Sequence, residues 1–299
     1  IGGSSIHASG SADPAHMADD YNTINLNAGV VNTTQGSVTH ITSADGALDV
    51  VDGVAVQGSG AENVIHMGKG SVYVQHASGD GVSAADGGKN AVSGGDVTVS
   101  GRIYGMTSTN AGSNSINITT ASGNADVAGG SLGMSAISSG SNSINADSGD
   151  VTVTAAATGT SDVYSYGIYS GFEGINSITT KSGDVTVTGN ATATSDTNSQ
   201  GTGMGIFEVG NNTITTDSGS VTVAGKGSVI GAGMYCRGSS ESTNAITTGS
   251  GAVTVSGEST TVGYGIMGEH NTITTGSGAV TVSGAGTTVG YGITGIHNT

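Results

Sequence analysis

The phrase NSITTKSGDVTVTG begins at Asn176 and returns as NNTITTDSGSVTVAG from Asn211, NAITTGSGAVTVSG from Asn244 and NTITTGSGAVTVSG from Asn271. The last two residues, Asn298 and Thr299, open the phrase again, so the pattern stops in mid-coil. A period of about 20–50 residues marks a chain whose units bury their apolar side by stacking, because one unit alone has nothing to cover it. Few other folds accommodate such a sequence.

Ile144, Ile178, Ile214, Ile246 and Ile273 each have a glycine five residues on and valines seven and nine residues on, as in Gly183, Val185 and Val187 after Ile178. Ile65 with Gly70, Val72 and Val74 repeats the pattern, Ile118 with Gly123 and Val127 keeps most of it, and Ile41 with Gly46, Leu48 and Val50 is compatible with it. Alternation with a period of two places the Ile and both Val side chains on one face of two short strands. A turn at Ser-Gly joins them, where glycine can take a positive φ. A third strand follows as a bulky residue, Gly, then Ile or Met: Tyr104-Gly-Met106, Leu132-Gly-Met134, Tyr166-Gly-Ile168, Met204-Gly-Ile206, Tyr264-Gly-Ile266 and Tyr291-Gly-Ile293. By the same alternation, tyrosines such as Tyr264 and Tyr291 are expected in the core.

The expected fold is all-β: a solenoid of three short strands per coil, with coils of about 24–36 residues. Residues 1–21 read as a lead-in segment or cap and residues 22–299 as one domain. Coil length varies between the Val-Thr-Val strand and the third strand, so loops are expected at Thr154–Ser165, Thr188–Gly203 and Ala224–Gly231. Asn142, Asn176, Asn212, Asn244, Asn271 and Asn298 each stand two residues before a reference Ile or the place where one is due. Stacked at a bend, their amides can hydrogen-bond from coil to coil, which makes their role structural.

Glycine at 55 residues would suggest disorder, but the 34% apolar content falls in strand-like alternation. Six Lys and Arg against 22 Asp and Glu leave a net charge of -16, which opposes binding to nucleic acid and to anionic membranes. No apolar run reaches the roughly 18–20 residues of a membrane helix. Cys236 is the only cysteine, which leaves no internal disulfide and suggests a passive surface thiol.

The Gly-, Ser-, Thr- and Asn-rich coils with S-G-x-V-T-V strands, from roughly Asn63 to Thr299, resemble the right-handed parallel β-helix. Within that architecture they resemble the passenger regions of autotransporters and haemagglutinin-like adhesins of Gram-negative bacteria. The resemblance implies a chain displayed outside the cell, at the bacterial surface. Its expected partners are further copies of itself, neighbouring coils or a surface receptor, with no membrane insertion of this segment.

Sites for chemistry are scarce. Asp150 and Asp184 lie one coil apart beside the Ser-Gly turn, but Ser220, Ala252 and Ala279 take that place afterwards, so solvated charge is favoured over a catalytic pair. Asp80, Asp86 and Asp96 lie in a Gly-rich stretch without the spacing of a Ca²⁺ loop. His270 and His297 fall at the same place in successive coils with no further ligands stacked on them. No catalytic residue, metal site or cofactor is therefore expected.

The remaining candidates are columns of outward hydroxyls: Thr186, Thr222, Thr254 and Thr281 in one strand, and the pairs Thr213 with Thr215 and Thr272 with Thr274 in another. The expected function is an adhesive or self-associating stalk acting through these ladders and the exposed loops. The alternatives are a polysaccharide-degrading lyase or glycosidase and, third, an ice-binding protein using T-x-T rows.

Overall fold

A computed structural model describes residues 23–26, 31–33, 38–42, 47–51, 53–56, 62–160, 162–194, 198–206, 208–236, 242–295 and 297–299. The expected cap over 1–21 lies outside the described residues. All regular structure described is strand, in three ten-stranded sheets with every pairing parallel. Consecutive strands go to the three sheets in turn, and each pairs with the strand one coil away. This is a parallel β-helix. The first sheet holds the Val-Thr-Val strands, the second the third-strand segments such as Val163–Ser170, and the third the Asn-x-Ile-Thr-Thr strands.

Register is kept residue for residue. Val151, Val185, Val221, Val253 and Val280 form one column, and Ile144, Ile178, Ile214, Ile246 and Ile273 another. The interior is one continuous apolar rod in which Val185, Val187, Ile178 and Met204 are each 0% exposed. Burying such a side chain stabilises by about 1.5–3 kcal/mol, so each coil's three or four core residues supply the main favourable term.

Two register readings need correction. The residue aligned with Ile144 is Ile116 rather than Ile118, because the turn that follows it is two residues longer than in later coils. Met204 aligns with Ile168, so the inward glycine of that coil is Gly203 and not Gly205.

The role assigned to the turn glycines also changes. Among described glycines only Gly53, Gly68, Gly87 and Gly210 have positive φ, and none of these is a Ser-Gly turn glycine of the clear repeats. A Cβ on Gly183, Gly219, Gly251 or Gly278 would instead lie 1.8–1.9 Å from the carbonyl oxygen of the corresponding glycine one coil earlier. The turns stack backbone on backbone, and any side chain there would force the coils apart.

The expected loops are mostly strand. Val151–Gly159 and Val185–Ala193 are nine-residue strands paired along their length, and the second-sheet strands Val163–Ser170 and Ser199–Ile206 return beside them. The first and second sheets thus run on past the rod as a two-layered fin. Its layers close on one another through glycine: a Cβ on Gly189, Gly225, Gly257 or Gly284 would lie 1.8–2.0 Å from the carbonyl oxygen of Thr202, Ala232, Tyr264 or Tyr291 respectively. Ala157, Val163 and Ala191 form a small second core inside it, and the Ser199 hydroxyl donates across it to the Ala191 carbonyl at 2.9 Å. The variable segments extend in register because paired strands satisfy the backbone groups that a loop would leave to water.

Candidate functional site

Each predicted asparagine with a described side chain belongs to one buried chain of amides. Asn63, Asn90, Asn114, Asn142, Asn176, Asn212 and Asn244 each donate from Nδ2 to Oδ1 of the next, ending on Asn271, over 2.7–2.9 Å. The second Nδ2 proton of these residues goes to a backbone carbonyl of the second sheet, such as Ser135 for Asn114 at 2.7 Å and Tyr235 for Asn212 at 3.4 Å. Asn63, where the described ladder begins, has no partner on Oδ1 among the described residues. Asn298 stands in backbone register with Asn271; its side chain lies outside the described residues. Asn63, Asn90 and Asn114 are additional to the sequence reading. Their signal was an Asn two residues before Ile65, Val92 and Ile116, obscured by the irregular turns of the early coils.

A second device went unread. The second Thr of each Ile-Thr-Thr turns inward, and the Oγ1 atoms of Thr180, Thr216, Thr248 and Thr275 accept from the N–H groups of Gly183, Gly219, Gly251 and Gly278 over 2.8–3.2 Å. Asp150 and Asp184 act similarly from coil to coil. Asp150 Oδ1 accepts the N–H of Asp184 at 2.9 Å and Asp184 Oδ1 that of Ser220 at 2.7 Å, continuing a row from Asp96 and Asn124. A carboxylate holding the next turn is a clasp, which accounts for the stacking of these acids without catalysis.

The outward Thr columns are in register. Thr152, Thr186, Thr222, Thr254 and Thr281 align on the first sheet, flanked by Thr154, Thr188, Ala224, Ser256 and Ser283. On the third sheet Ser177, Thr213, Ala245 and Thr272 align, and beside them Thr179, Thr215, Thr247 and Thr274. Neighbours in a column stand about 4.8 Å apart, the spacing of hydrogen-bonded strands. Thr254, Thr274 and Thr281 are exposed, and Thr186, Thr213, Thr215, Thr222 and Thr272 are half-buried.

Cys236 is 2% exposed rather than at the surface; its Sγ faces the Gly210 carbonyl at 3.5 Å, and burial pushes the thiol pKa up. Among the described residues no three His, Cys, Asp or Glu side chains gather as a metal-binding group. Asp96 belongs to the clasp row, Asp86 accepts from Asn110 Nδ2 at 3.2 Å, and Asp80 is partly buried, its pKa raised by that burial. His270 and His297 have backbones in register, and the His297 side chain lies outside the described residues.

The tyrosines of the third strand do not join the core. In Tyr166-Gly167-Ile168 both later residues face inward: the Cβ position of Gly167 is 2.7 Å from Val187 Cγ1, and Ile168 belongs to the rod. Two successive inward residues break the alternation and put Tyr166 outside. There it lines a groove of about 460 Å³ with Tyr104, Ser131, Leu132, Asp162, Tyr164 and Tyr169. The Tyr166 and Tyr169 rings lie 5.0 Å apart at 53°. Burial, with Tyr169 beside it, pushes the Tyr166 phenol above its ordinary range. Farther along the sheet Tyr264 and Tyr291 stack at 5.6 Å and 11°.

Compared with family models, curated proteins and solved structures, the chain finds no match in any of the three.

Proposed function

We propose that the chain is an extracellular structural β-helix that works by adhesion or self-association at a bacterial surface, as do the autotransporter and haemagglutinin-like passenger regions it resembles. The in-register hydroxyl columns of the first sheet carry this reading. Five threonines one coil apart, beside a second row of Thr, Ser and Ala, form a flat strip of small side chains. Strips of identical residues interdigitate with copies of themselves, as paired sheets of like side chains do.

Thr222→Tyr with Thr254→Tyr tests it, because tyrosine suits a strand but stands too tall for a flat contact. Sedimentation velocity of the wild-type chain should show concentration-dependent association that the double variant loses. Association that is absent, or equal in both chains, overturns the reading. The pairs Thr213 with Thr215 and Thr272 with Thr274 favour ice as a second target, although Ala245 interrupts the row. Thermal hysteresis abolished by Thr274→Tyr, with no self-association, would establish that reading in its place.

A further inference from the structure

The tyrosine groove lies where the fin begins. Second-sheet strands before it are short, as in Leu132–Ala136, whereas Val163–Ser170 starts three residues ahead of Tyr166, the register partner of Leu132. The longer coil overhangs the shorter one. Leu132 stands in register between Tyr104 of the preceding coil and Tyr166 of the following one, and Ser131, Tyr164 and Tyr169 line the same groove. Asp162 stands at the rim at the fin's turn with φ 52°, a left-handed conformation uncommon for a residue other than glycine.

Two properties narrow the ligand. Four tyrosines from two coils line one volume, with Tyr166 and Leu132 only 8% and 9% exposed and Tyr164, at 48%, open to solvent. Among the described residues the one charged side chain in the lining is the Asp162 carboxylate, on a chain of net charge -16. Ring faces carry negative potential and attract a cation, most strongly when water is excluded, and a quaternary ammonium suits such a site because it has no N–H to satisfy. Arg102 is exposed on the same coil as Tyr104 but does not line the groove.

We propose that this groove binds a trimethylammonium group, its methyls against Tyr104, Tyr164, Tyr166 and Tyr169 and its charge balanced by Asp162. The site is independent of the hydroxyl columns, since it lies on the second sheet and needs no second copy of the chain. Such a group arrives either free or on a phosphocholine headgroup, so soluble choline chloride and phosphatidylcholine vesicles form two arms of the test.

Calorimetric titration with choline chloride should show saturable binding at one site. The neutral isostere 3,3-dimethylbutan-1-ol should bind at least about fivefold more weakly, which corresponds to the loss of one cation–π contact of ordinary strength. Asp162→Asn and Tyr164→Ala should each weaken binding by about the same factor, while Tyr164→Phe, which keeps the ring face, should leave it unchanged. Tyr164 is 48% exposed, so these variants should keep the wild-type melting transition. Binding in the vesicle arm alone assigns the headgroup; binding of free choline assigns the small cation. Equal binding of the neutral isostere, preference for methyl glucoside over choline, or no binding in either arm overturns the proposal.

Discussion

Replacing Asn212 by aspartate tests the amide ladder with a change of one atom type. Asn212 accepts from Asn176 at 2.9 Å and donates to Asn244 Oδ1 at 2.8 Å and to the Tyr235 carbonyl at 3.4 Å, at 0% exposure. In the Asn212→Asp variant an ionised carboxylate still accepts from Asn176 but donates nothing. The Asn244 oxygen loses its donor and then faces a carboxylate oxygen, while the Tyr235 carbonyl loses only the long contact from the amide. One buried acceptor left unpaired beside a like oxygen costs about 1–3 kcal/mol, so the variant should lose at least that much at neutral pH. Burial holds the folded carboxyl well above its unfolded value of about 3.9. A raised carboxyl pKa carries no penalty below the unfolded pKa and the full penalty above the folded one. The deficit relative to wild type should therefore shrink as pH falls from 7 to 4, when the protonated acid regains one donor. Urea midpoints followed by circular dichroism at both pH values measure it. Wild-type stability of the variant at pH 7, or a deficit independent of pH, would refute the reasoning.

Gly233→Ala should destabilise by about 1–3 kcal/mol, the usual cost of overpacking, because its Cβ would stand 2.4 Å from Val255 Cγ1. Gly292→Ala in the same column meets nothing nearer than the Val282 oxygen at 3.2 Å and should be far milder, as thermal melts of the two variants would report. Thr216→Val removes the acceptor of the Gly219 N–H and should cost about 1–3 kcal/mol, whereas Thr216→Ser should retain most of the stability in the same urea titration. Cys236 should resist iodoacetamide in the folded chain even at pH 8.5, since burial both shields the thiol and raises its pKa, and should label at once in urea. Rapid labelling of folded protein would show that the second sheet opens at this coil.

The rod was legible because its signal is local and periodic. Ile178, Val185 and Val187 occupy the same places in their coil as Ile214, Val221 and Val223 in the next, so counting residues locates the core. The fin was not, because the segments that build it differ in length and composition from coil to coil, and only their pairing in three dimensions shows them to be strands. The Tyr166 groove failed for a related reason: the period-of-two rule assumes strict alternation, and Gly167 beside Ile168 breaks it. The glycine turns were placed correctly but given the wrong cause. Sequence shows that a side chain is absent, and only the 1.9 Å approach at Gly219 shows what would have struck it.

The fin also gives the rod a lateral profile. Between the second valine of the first sheet and the inward glycine of the second there are six residue steps at Val127–Gly133, fourteen at Val153–Gly167, sixteen at Val187–Gly203 and ten at Val223–Gly233, Val255–Gly265 and Val282–Gly292. The described first-sheet strands follow suit, nine residues at Val151–Gly159 and Val185–Ala193 and then seven, seven and six at Val221–Gly227, Val253–Ser259 and Val280–Ala285, so the crest rises abruptly and then drops to a lower ledge. The outline therefore distinguishes one direction along the axis from the other, like the bit of a key. A copy laid alongside meets a different contour when it points up the axis than when it points down, so side-by-side contacts through the fin discriminate polarity by shape alone.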